Sequence, residues 1–145
     1  MKKMQFSISI NAPKEKVWQT LWNDDTYQKW TSVFSEGSKA VSDWKEGSRI
    51  HFLNENNDGM YSTIDKRVDN EIMNFKHIGN IKNGVELPLD ATTESWSGST
   101  ENYTLKEANG VTTLTVEMDI VADYQDYFNE KFPIALNKVK ELAEA

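Results

Sequence analysis

The 145-residue sequence contains no cysteine, only three prolines and seven glycines, and no run of lysine and arginine longer than two residues. Without cysteine the chain forms no disulfide, binds no thiolate-held iron–sulfur cluster and performs no thiol catalysis, a composition that fits a reducing compartment. The net charge is −7. Such a surface repels a phosphate backbone, so we expect no nucleic-acid partner.

Long apolar runs are also absent. No stretch approaches the roughly 18 apolar residues of a membrane span. The N-terminal segment MKKMQFSISI lacks the sustained apolar core and the small-residue cleavage site of a secretory signal. We therefore expect a cytoplasmic protein without a membrane span. Because no internal repeat or linker-like composition interrupts the sequence, we expect residues 1–145 to form one domain.

Aromatic residues, in contrast, are frequent. They make up 11% of the chain, whereas hydrophobic residues as a whole make up only 38%. Aromatic rings bury large areas, so a small number of them is enough for a hydrophobic interior. Two interpretations remain open at this point: an ordinary aromatic core, or rings that line a cavity for an apolar ligand.

The N-terminal pattern predicts a strand followed by a helix. Apolar and polar residues alternate over residues 4–10, which is typical of a half-buried strand. Pro13 suits the first position of a helix, where its missing N–H is no loss. Asn11 or Ala12 is then the expected N-cap.

A second short helix is expected to have Asn23 or Asp24 as its N-cap and to end near Trp30. From residue 39 onward the pattern changes to strands and tight turns. Asn109-Gly110 is the strongest hairpin signal among them. After it, residues 111–120 alternate strictly and predict a strand with one covered face.

The C-terminal segment predicts one long helix, capped by Asp123 and ending near Glu144. A proline, Pro133, lies inside it, and proline lacks a backbone N–H and crowds the carbonyl four residues earlier. The apolar residues nevertheless continue at helical spacing through it: Phe132, Leu136, Val139 and Leu142. We therefore expect a kinked or restarted helix and not a clean stop.

These elements predict an α+β fold. An antiparallel sheet of about seven strands needs a cover on one face, and only the C-terminal helix, about 30 Å long for its roughly 20 residues, can lie across it. Two short helices lie between strands 1 and 2. A curved sheet wrapped around a helix in this way leaves a space between the two.

Few residues offer chemistry. The two histidines lack a metal-ligand spacing, so we expect no metal site. Alternation places His77 on the inner face, where we expect a hydrogen-bonded histidine near the rim and not a catalyst, and it places His51 outward and exposed. Glu101 shares a face with Tyr103. It is either a polar group near the cavity or, as the simpler expectation, a solvated one. No nucleophile elbow and no phosphate-binding glycine loop occur, so no catalytic residue and no cofactor are expected.

Four segments, in order, carry a family resemblance over nearly the whole chain: INAPKEKVWQTLWNDDTYQKW, VSDWKEGSRIHF, GMYSTIDKRVDNEIMNFKHIG and WSGSTENYTLKEANGVTTLTVEMDIVADYQDYFNEKFPIALNKVKELAE. In these segments the chain resembles the START-like superfamily, also called SRPBCC or the helix-grip fold. Within it, the chain is similar to the C-terminal domain of the heat-shock-protein-90 ATPase activator and its bacterial relatives. The closing block is the more specific part of the match.

The resemblance implies a seven-stranded antiparallel sheet gripping a long C-terminal helix, with apolar small molecules held between them. No catalytic motif is shared across the superfamily, so the resemblance assigns no catalytic residue. The eukaryotic activator has an additional N-terminal domain that these residues do not include, which argues against direct co-chaperone activity.

The expected function is therefore non-catalytic binding of a small hydrophobic or aromatic ligand between the sheet and the C-terminal helix. A protein-interaction module of the activator type, with a chaperone or another protein as partner, is the alternative. A cyclase- or dehydratase-like enzyme is a second alternative, which requires polar groups such as His77 and Glu101 to converge inside. Alternation and helix face predict these ligand-binding residues: Trp30, Phe34, Phe52, Phe75, His77, Tyr103, Leu114, Val116, Met118, Phe128, Phe132 and Leu136.

Overall fold

Eight strands form one antiparallel sheet in the computed structural model, which describes residues 1–145. The sheet order is β1-β8-β7-β5-β4-β3-β2, with the short β6 paired to β5. The elements in chain order are β1 (Lys2–Ile10), α1 (Lys14–Trp22), α2 (Asp24–Thr31), β2 (Lys39–Val41), β3 (Arg49–Leu53), β4 (Gly59–Val68), β5 (Ile72–Lys82), β6 (Val85–Glu86), α3 (Ala91–Glu94), β7 (Thr100–Ala108), β8 (Val111–Ile120), a 3₁₀ turn (Ala122–Tyr124) and α4 (Gln125–Glu144). The predicted α+β helix-grip architecture is confirmed.

The sheet closes on the hairpin that the sequence predicted. Asn109 and Gly110 both have positive φ, 54° and 79°, as a two-residue turn between twisted strands requires. They join β7 to β8, and β8 then pairs with β1 along its whole length. The chain thus brings its first strand beside its last one, next to the helix that follows.

The core lies between the sheet and the helices. Helix α4 buries five residues: Phe132, Ala135, Leu136, Val139 and Ala143. The ring of Phe132 stacks on that of Phe6 from β1, with centroids 5.0 Å apart. The second half of α4 therefore packs directly into the aliphatic core, whereas its first half contributes no residue to the fully buried set before Phe132.

The predicted start of α1 is wrong by one or two residues. Pro13 is the N-cap of α1 and not its first residue, which is Lys14. Asn11, an expected cap, instead donates its backbone N–H to the carboxylate of Glu144 at 2.8 Å. The contact across 133 residues of sequence, which ties β1 to the end of α4, was invisible to local pattern reasoning.

Asp123 does not cap α4. It lies in the 3₁₀ turn, and α4 begins at Gln125 with Tyr124 as N-cap and without a side-chain capping bond. The short helix α3 was not predicted, although its capping box was in the sequence: Asp90 accepts from the N–H of Thr93 at 2.8 Å, and the Thr93 hydroxyl accepts from the N–H of Asp90.

Helix α4 runs without a break through Pro133. A clean stop is therefore excluded, as expected, and the helix does not restart either. Pro133 is exposed, and it removes one N–H from the helix interior without removing any buried contact.

Replacing Pro133 with alanine should raise the free energy of unfolding by about 1–3 kcal/mol. The substitution restores an N–H to the helix and removes the ring's clash with the carbonyl of Asn129, which outweighs the greater entropy of the unfolded alanine chain. Urea denaturation measures the change. Lys138→Ala, an exposed change on the same helix, is the control and should alter stability by less than about 0.5 kcal/mol. Equal or lower stability of Pro133→Ala would show that the proline imposes no cost here.

Candidate ligand cavity

A cavity of about 490 Å³ lies between the sheet and the first half of α4, with α2 beside it. Of its 25 lining residues, 17 are hydrophobic. Five lining residues are exposed: Met1, Gly59, Asn80, Tyr124 and Tyr127. Two of them, Tyr124 and Tyr127, place one opening to solvent beside the start of α4.

The structure brings most of the predicted binding residues together at this cavity. Nine of them border it: Trp30, Phe34, Phe52, Phe75, His77, Tyr103, Met118, Phe128 and Phe132. The other three, Leu114, Val116 and Leu136, do not border it and are at most 2% exposed in the main core. They face the predicted side of the sheet or helix, but they lie where the second half of α4 packs directly on the core.

Other lining residues were missed by the sequence reasoning. Trp22 and Tyr27 come from α1 and α2, whose apolar faces were recognised but not assigned to the cavity. Met60 and Asn80 reach it from β4 and β5. Asn80 could not be found from alternation, because it does not share the parity of Phe75 and His77.

A β-bulge explains this change of parity. Tyr61 of β4 lies opposite Gly79, but the next residue, Ser62, lies opposite His77, so Ile78 has no partner. A single extra residue reverses which side chains face inward beyond it. His77 therefore points inward on one side of the bulge and Asn80 on the other. Ser62 is placed directly across from His77.

Four side chains form a hydrogen-bonded chain in the cavity wall, the Glu101 network: Ser62, His77, Glu101 and Tyr103. Ser62 Oγ lies 2.7 Å from His77 Nδ1, and His77 Nε2 lies 3.1 Å from Glu101 Oε1. The Tyr103 hydroxyl donates to Glu101 Oε2 at 2.5 Å. With a neutral imidazole, the proton sits on Nε2 and is donated to the carboxylate, and Nδ1 accepts from the Ser62 hydroxyl.

The expectation of a solvated Glu101 was wrong. Its side chain is only 16% exposed. Strand β7 does not twist it outward, because Glu101 is paired in register between Phe75 and Met118 and is held by two donors. The two donors offset the loss of hydration that otherwise keeps a carboxylate at the surface.

The two histidines differ in surroundings. His77 is 6% exposed and hydrogen-bonded at both ring nitrogens. His51 faces outward as predicted, but it is only partly exposed, because its Nε2 lies 2.8 Å from Glu86 of the short strand β6. The two rings therefore belong to opposite faces of the sheet.

The serine–histidine–glutamate order resembles a catalytic triad but cannot act as one toward a molecule in the cavity. Ser62 is completely buried and does not border the cavity. Nucleophilic attack requires the hydroxyl to reach the substrate. Ser62 instead orients the ring of His77, and the groups that the cavity presents are His77, Glu101 and Tyr103.

Burial and the carboxylate of Glu101 raise the pKa values of two tyrosines in the cavity wall. Burial, and after it the negative charge of Glu101, raises the pKa of Tyr27 well above its ordinary value, although the Ser38 hydroxyl acts in the opposite direction. Burial, the charge of Glu101 and the hydrogen bond to it raise the pKa of Tyr103 well above its ordinary value. Both phenols remain protonated in the folded protein well above pH 10, the ordinary tyrosine value.

A second carboxylate, that of Asp119, also borders the cavity. Burial opposes its ionisation, but the hydrogen bonds from Thr100 and Lys3 outweigh this effect and lower the pKa of Asp119. The ammonium of Lys3 lies 3.2 Å from it. Its negative charge is therefore balanced from outside the cavity.

Trp22 borders the cavity and is only 8% exposed. Its indole N–H nevertheless has no acceptor in the protein. Trp22 lies at the centre of the aromatic cluster, with ring centroids 4.9 Å from Tyr103 and 5.5 Å from Phe75.

No group of three or more histidine, aspartate or glutamate side chains is placed to hold a metal ion. None of the helices is both long and apolar enough to cross a membrane.

Comparison with known proteins identifies the family. The family model described as "Activator of Hsp90 ATPase homolog 1-like protein" matches residues 11–144. A search of curated protein sequences gives no match.

Solved structures share the fold at low sequence identity. The Aha1 dimer from Colwellia psychrerythraea, solved in solution, is 23% identical, with a TM-score of 0.75 over 99% of this chain and 97% of that one. Protein MLL2253 from Mesorhizobium loti is 16% identical, with a TM-score of 0.72 over 97% and 96%. DynU16, a protein in the dynemicin biosynthetic locus, is 12% identical, with a TM-score of 0.73 over 100% of this chain and 48% of that one. The START-like, helix-grip resemblance read from the sequence is confirmed.

The raised tyrosine pKa values predict a loss of stability in alkali. Above about pH 10 the unfolded chain releases its phenolic protons, whereas folded Tyr27, whose pKa burial raises, keeps its proton to a higher pH. Each such tyrosine should lower the free energy of unfolding by about 1.4 kcal/mol per pH unit in that window and have no effect below it.

Urea denaturation of wild type and Tyr27→Phe, from about pH 9 to about pH 11.5, isolates the contribution of Tyr27. The free energy of unfolding of the variant should decline less steeply with pH than that of wild type, by about 1.4 kcal/mol per pH unit. Tyr124→Phe, which alters an exposed tyrosine at the cavity mouth, is the matched control and should follow wild type. Parallel curves for wild type and Tyr27→Phe would contradict the assignment.

Proposed function

The chain belongs to the family of Activator of Hsp90 ATPase homolog 1-like proteins, and from this premise we propose that it binds a small, largely apolar molecule in the cavity between the sheet and α4. The family and its structural neighbours fit a ligand-binding or a protein-interaction module. The observation that carries the proposal is the cavity itself, because a well-packed domain of this size normally retains few voids larger than a water molecule.

The dimensions and lining of the cavity support this proposal. Its volume of about 490 Å³ falls in the range of small-molecule sites, about 300–1,000 Å³. Aromatic rings from six helices and strands border it, and they supply a large contact area at low entropic cost. A few polar groups converge among them, as they do in sites that fix the orientation of a ligand.

We propose that the nine predicted residues that border the cavity contact the ligand, together with Trp22, Tyr27 and Glu101. Rings at the mouth, Phe34 and Phe128, lie 6.0 Å apart by centroid and connect the opening to the interior. A ligand with an acceptor atom near the Trp22 indole would also supply the partner that this N–H lacks within the protein.

An enzyme that uses the same cavity is the second candidate. His77 Nε2 lies 3.1 Å from Glu101 Oε1 on the cavity wall. An enzyme that uses the cavity requires polar groups that converge in this way. A histidine paired with a carboxylate is a common general acid–base arrangement. Binding is preferred because His77 and Tyr103 both donate to Glu101, so the protons that an acid–base step would transfer are engaged within the wall.

The family description supports a third function, the activation of a chaperone ATPase. The segment between β6 and α3 carries exposed apolar side chains at Leu87 and Leu89, 39% and 41% exposed, after exposed Val85 at 61%. If this segment contacts a chaperone, Leu87→Ser with Leu89→Ser should abolish stimulation of the ATPase of the Hsp90-type chaperone from the same organism. An ATPase rate that is the same with and without the wild-type protein would refute this function.

Ligand binding is tested with N-phenyl-1-naphthylamine, a neutral aromatic probe whose own fluorescence rises in apolar surroundings. Wild-type protein should bind it saturably. Met60→Trp adds a large ring to the cavity wall and should weaken binding by about tenfold or more, since it removes volume that the probe occupies.

The control, Val68→Trp, introduces the same residue on the same strand, at an exposed position that does not border the cavity. It should bind the probe like wild type. Absence of saturable binding to wild-type protein, or equal affinity in all three proteins, would refute the proposed cavity site.

A further inference from the structure

The charges in the cavity wall are unbalanced. No lysine or arginine is among the lining residues, whereas Glu101 and Asp119 are, and the N-terminal ammonium of Met1, which also borders the cavity, forms no ion pair with either carboxylate. Asp119 is paired with Lys3 at 3.2 Å. Glu101 has no such partner, because the ring of His77 is its only ion-pair neighbour. The cavity therefore contains one carboxylate whose charge is not matched by a permanent cation.

This carboxylate retains capacity for a ligand. An ionised carboxylate offers about four lone-pair sites, and Glu101 accepts two hydrogen bonds, one at each oxygen, from His77 and Tyr103. The remaining sites lie on a side chain that borders the cavity. A charge that is only partly hydrated and has no cationic partner is strongly stabilised by a cation placed against it, since the low dielectric strengthens the attraction.

The surroundings of Glu101 consist of aromatic rings. Tyr103 donates to it, and Phe75 lies opposite it in the β5–β7 register. The ring of Phe52 is 5.1 Å from that of Phe75, and the ring of Trp22 is 4.9 Å from that of Tyr103. The faces of such rings carry negative potential and attract organic cations. Burial is the main cause of the raised pKa values of Tyr27 and Tyr103, and the negative charge of Glu101 adds to it at both positions.

We infer that the ligand of this cavity is an organic cation, a protonated amine on an aromatic or aliphatic body, with its ammonium group against Glu101 and its apolar part among the rings. This inference rests on the proposed binding function and names the chemical class of the ligand. An ammonium donates to the free lone pairs of the carboxylate, and aromatic faces stabilise its charge. The two carboxylates and the net charge of −7 disfavour an anion of the same shape.

Three naphthalene derivatives with the same ring system separate charge from shape: 2-naphthylmethylamine, 2-naphthylmethanol and 2-naphthoic acid. Isothermal titration at neutral pH measures their affinities. Wild-type protein should bind the amine at least about tenfold more tightly than the alcohol, and the acid most weakly. The preference should persist at high salt, because a largely buried pair is screened little.

Glu101→Gln keeps the size and hydrogen-bonding capacity of the side chain and removes its charge. In this variant the amine should lose its advantage over the alcohol, and the measured quantity is the ratio of the two affinities within each protein. Glu117→Gln, on the neighbouring strand β8 with a side chain 43% exposed and outside the cavity, is the matched control and should retain the full preference.

Equal binding of amine and alcohol by wild-type protein would overturn the inference while leaving the binding function intact. A preference that survives in Glu101→Gln would overturn it as well. Because the wild-type comparison needs no variant, the inference stays testable even if Glu101→Gln folds poorly. If none of the three compounds binds, the proposed binding function fails, and this inference with it.

Discussion

The need to cover one face of a curved antiparallel sheet with a single helix determines the rest of this structure. Over its second half, α4 meets that face with aliphatic residues such as Leu136 and Val139, which share the closed core with Leu114 and Val116. Over its first half it presents Phe128 and Phe132, and between these rings and the sheet a volume of about 490 Å³ remains. The cavity is thus the part of the covered face that the helix does not fill.

The polar character of the cavity follows from the register of three strands. The bulge at Ile78 places Ser62 across from His77, and the β5–β7 pairing places Glu101 beside both His77 and Phe75. Each member then has a partner, so a charged side chain persists in an otherwise aromatic wall without the penalty of an unsatisfied buried charge. The same arrangement that makes Glu101 tolerable keeps it available to a ligand.

The sequence was sufficient to predict the fold and the side of the sheet that most side chains face. It did not show how far along that side a residue lies, or which side chains meet across neighbouring strands. Period-two alternation put Phe75, His77 and Tyr103 inward, because one face of the sheet had to be covered. It could not show that Leu114 lies beyond the end of the cavity, since alternation defines a face and not a position along it. Glu101 was misjudged because its partner His77 is 24 residues away, and only the strand register shows that the two meet.

The start of α4, which has few buried contacts, lies at the mouth of the cavity. Helix α4 begins without a side-chain cap, and its first fully buried residue is Phe132, two turns into the helix. Tyr124 and Tyr127, both exposed, border the opening there. A segment with few buried contacts opens at low free-energy cost, so the start of α4 is where the proposed ligand would enter most easily. Under the proposed binding function, the ligand would supply contacts between α4 and the sheet that this half of the helix lacks, and it would stabilise the folded state by mass action.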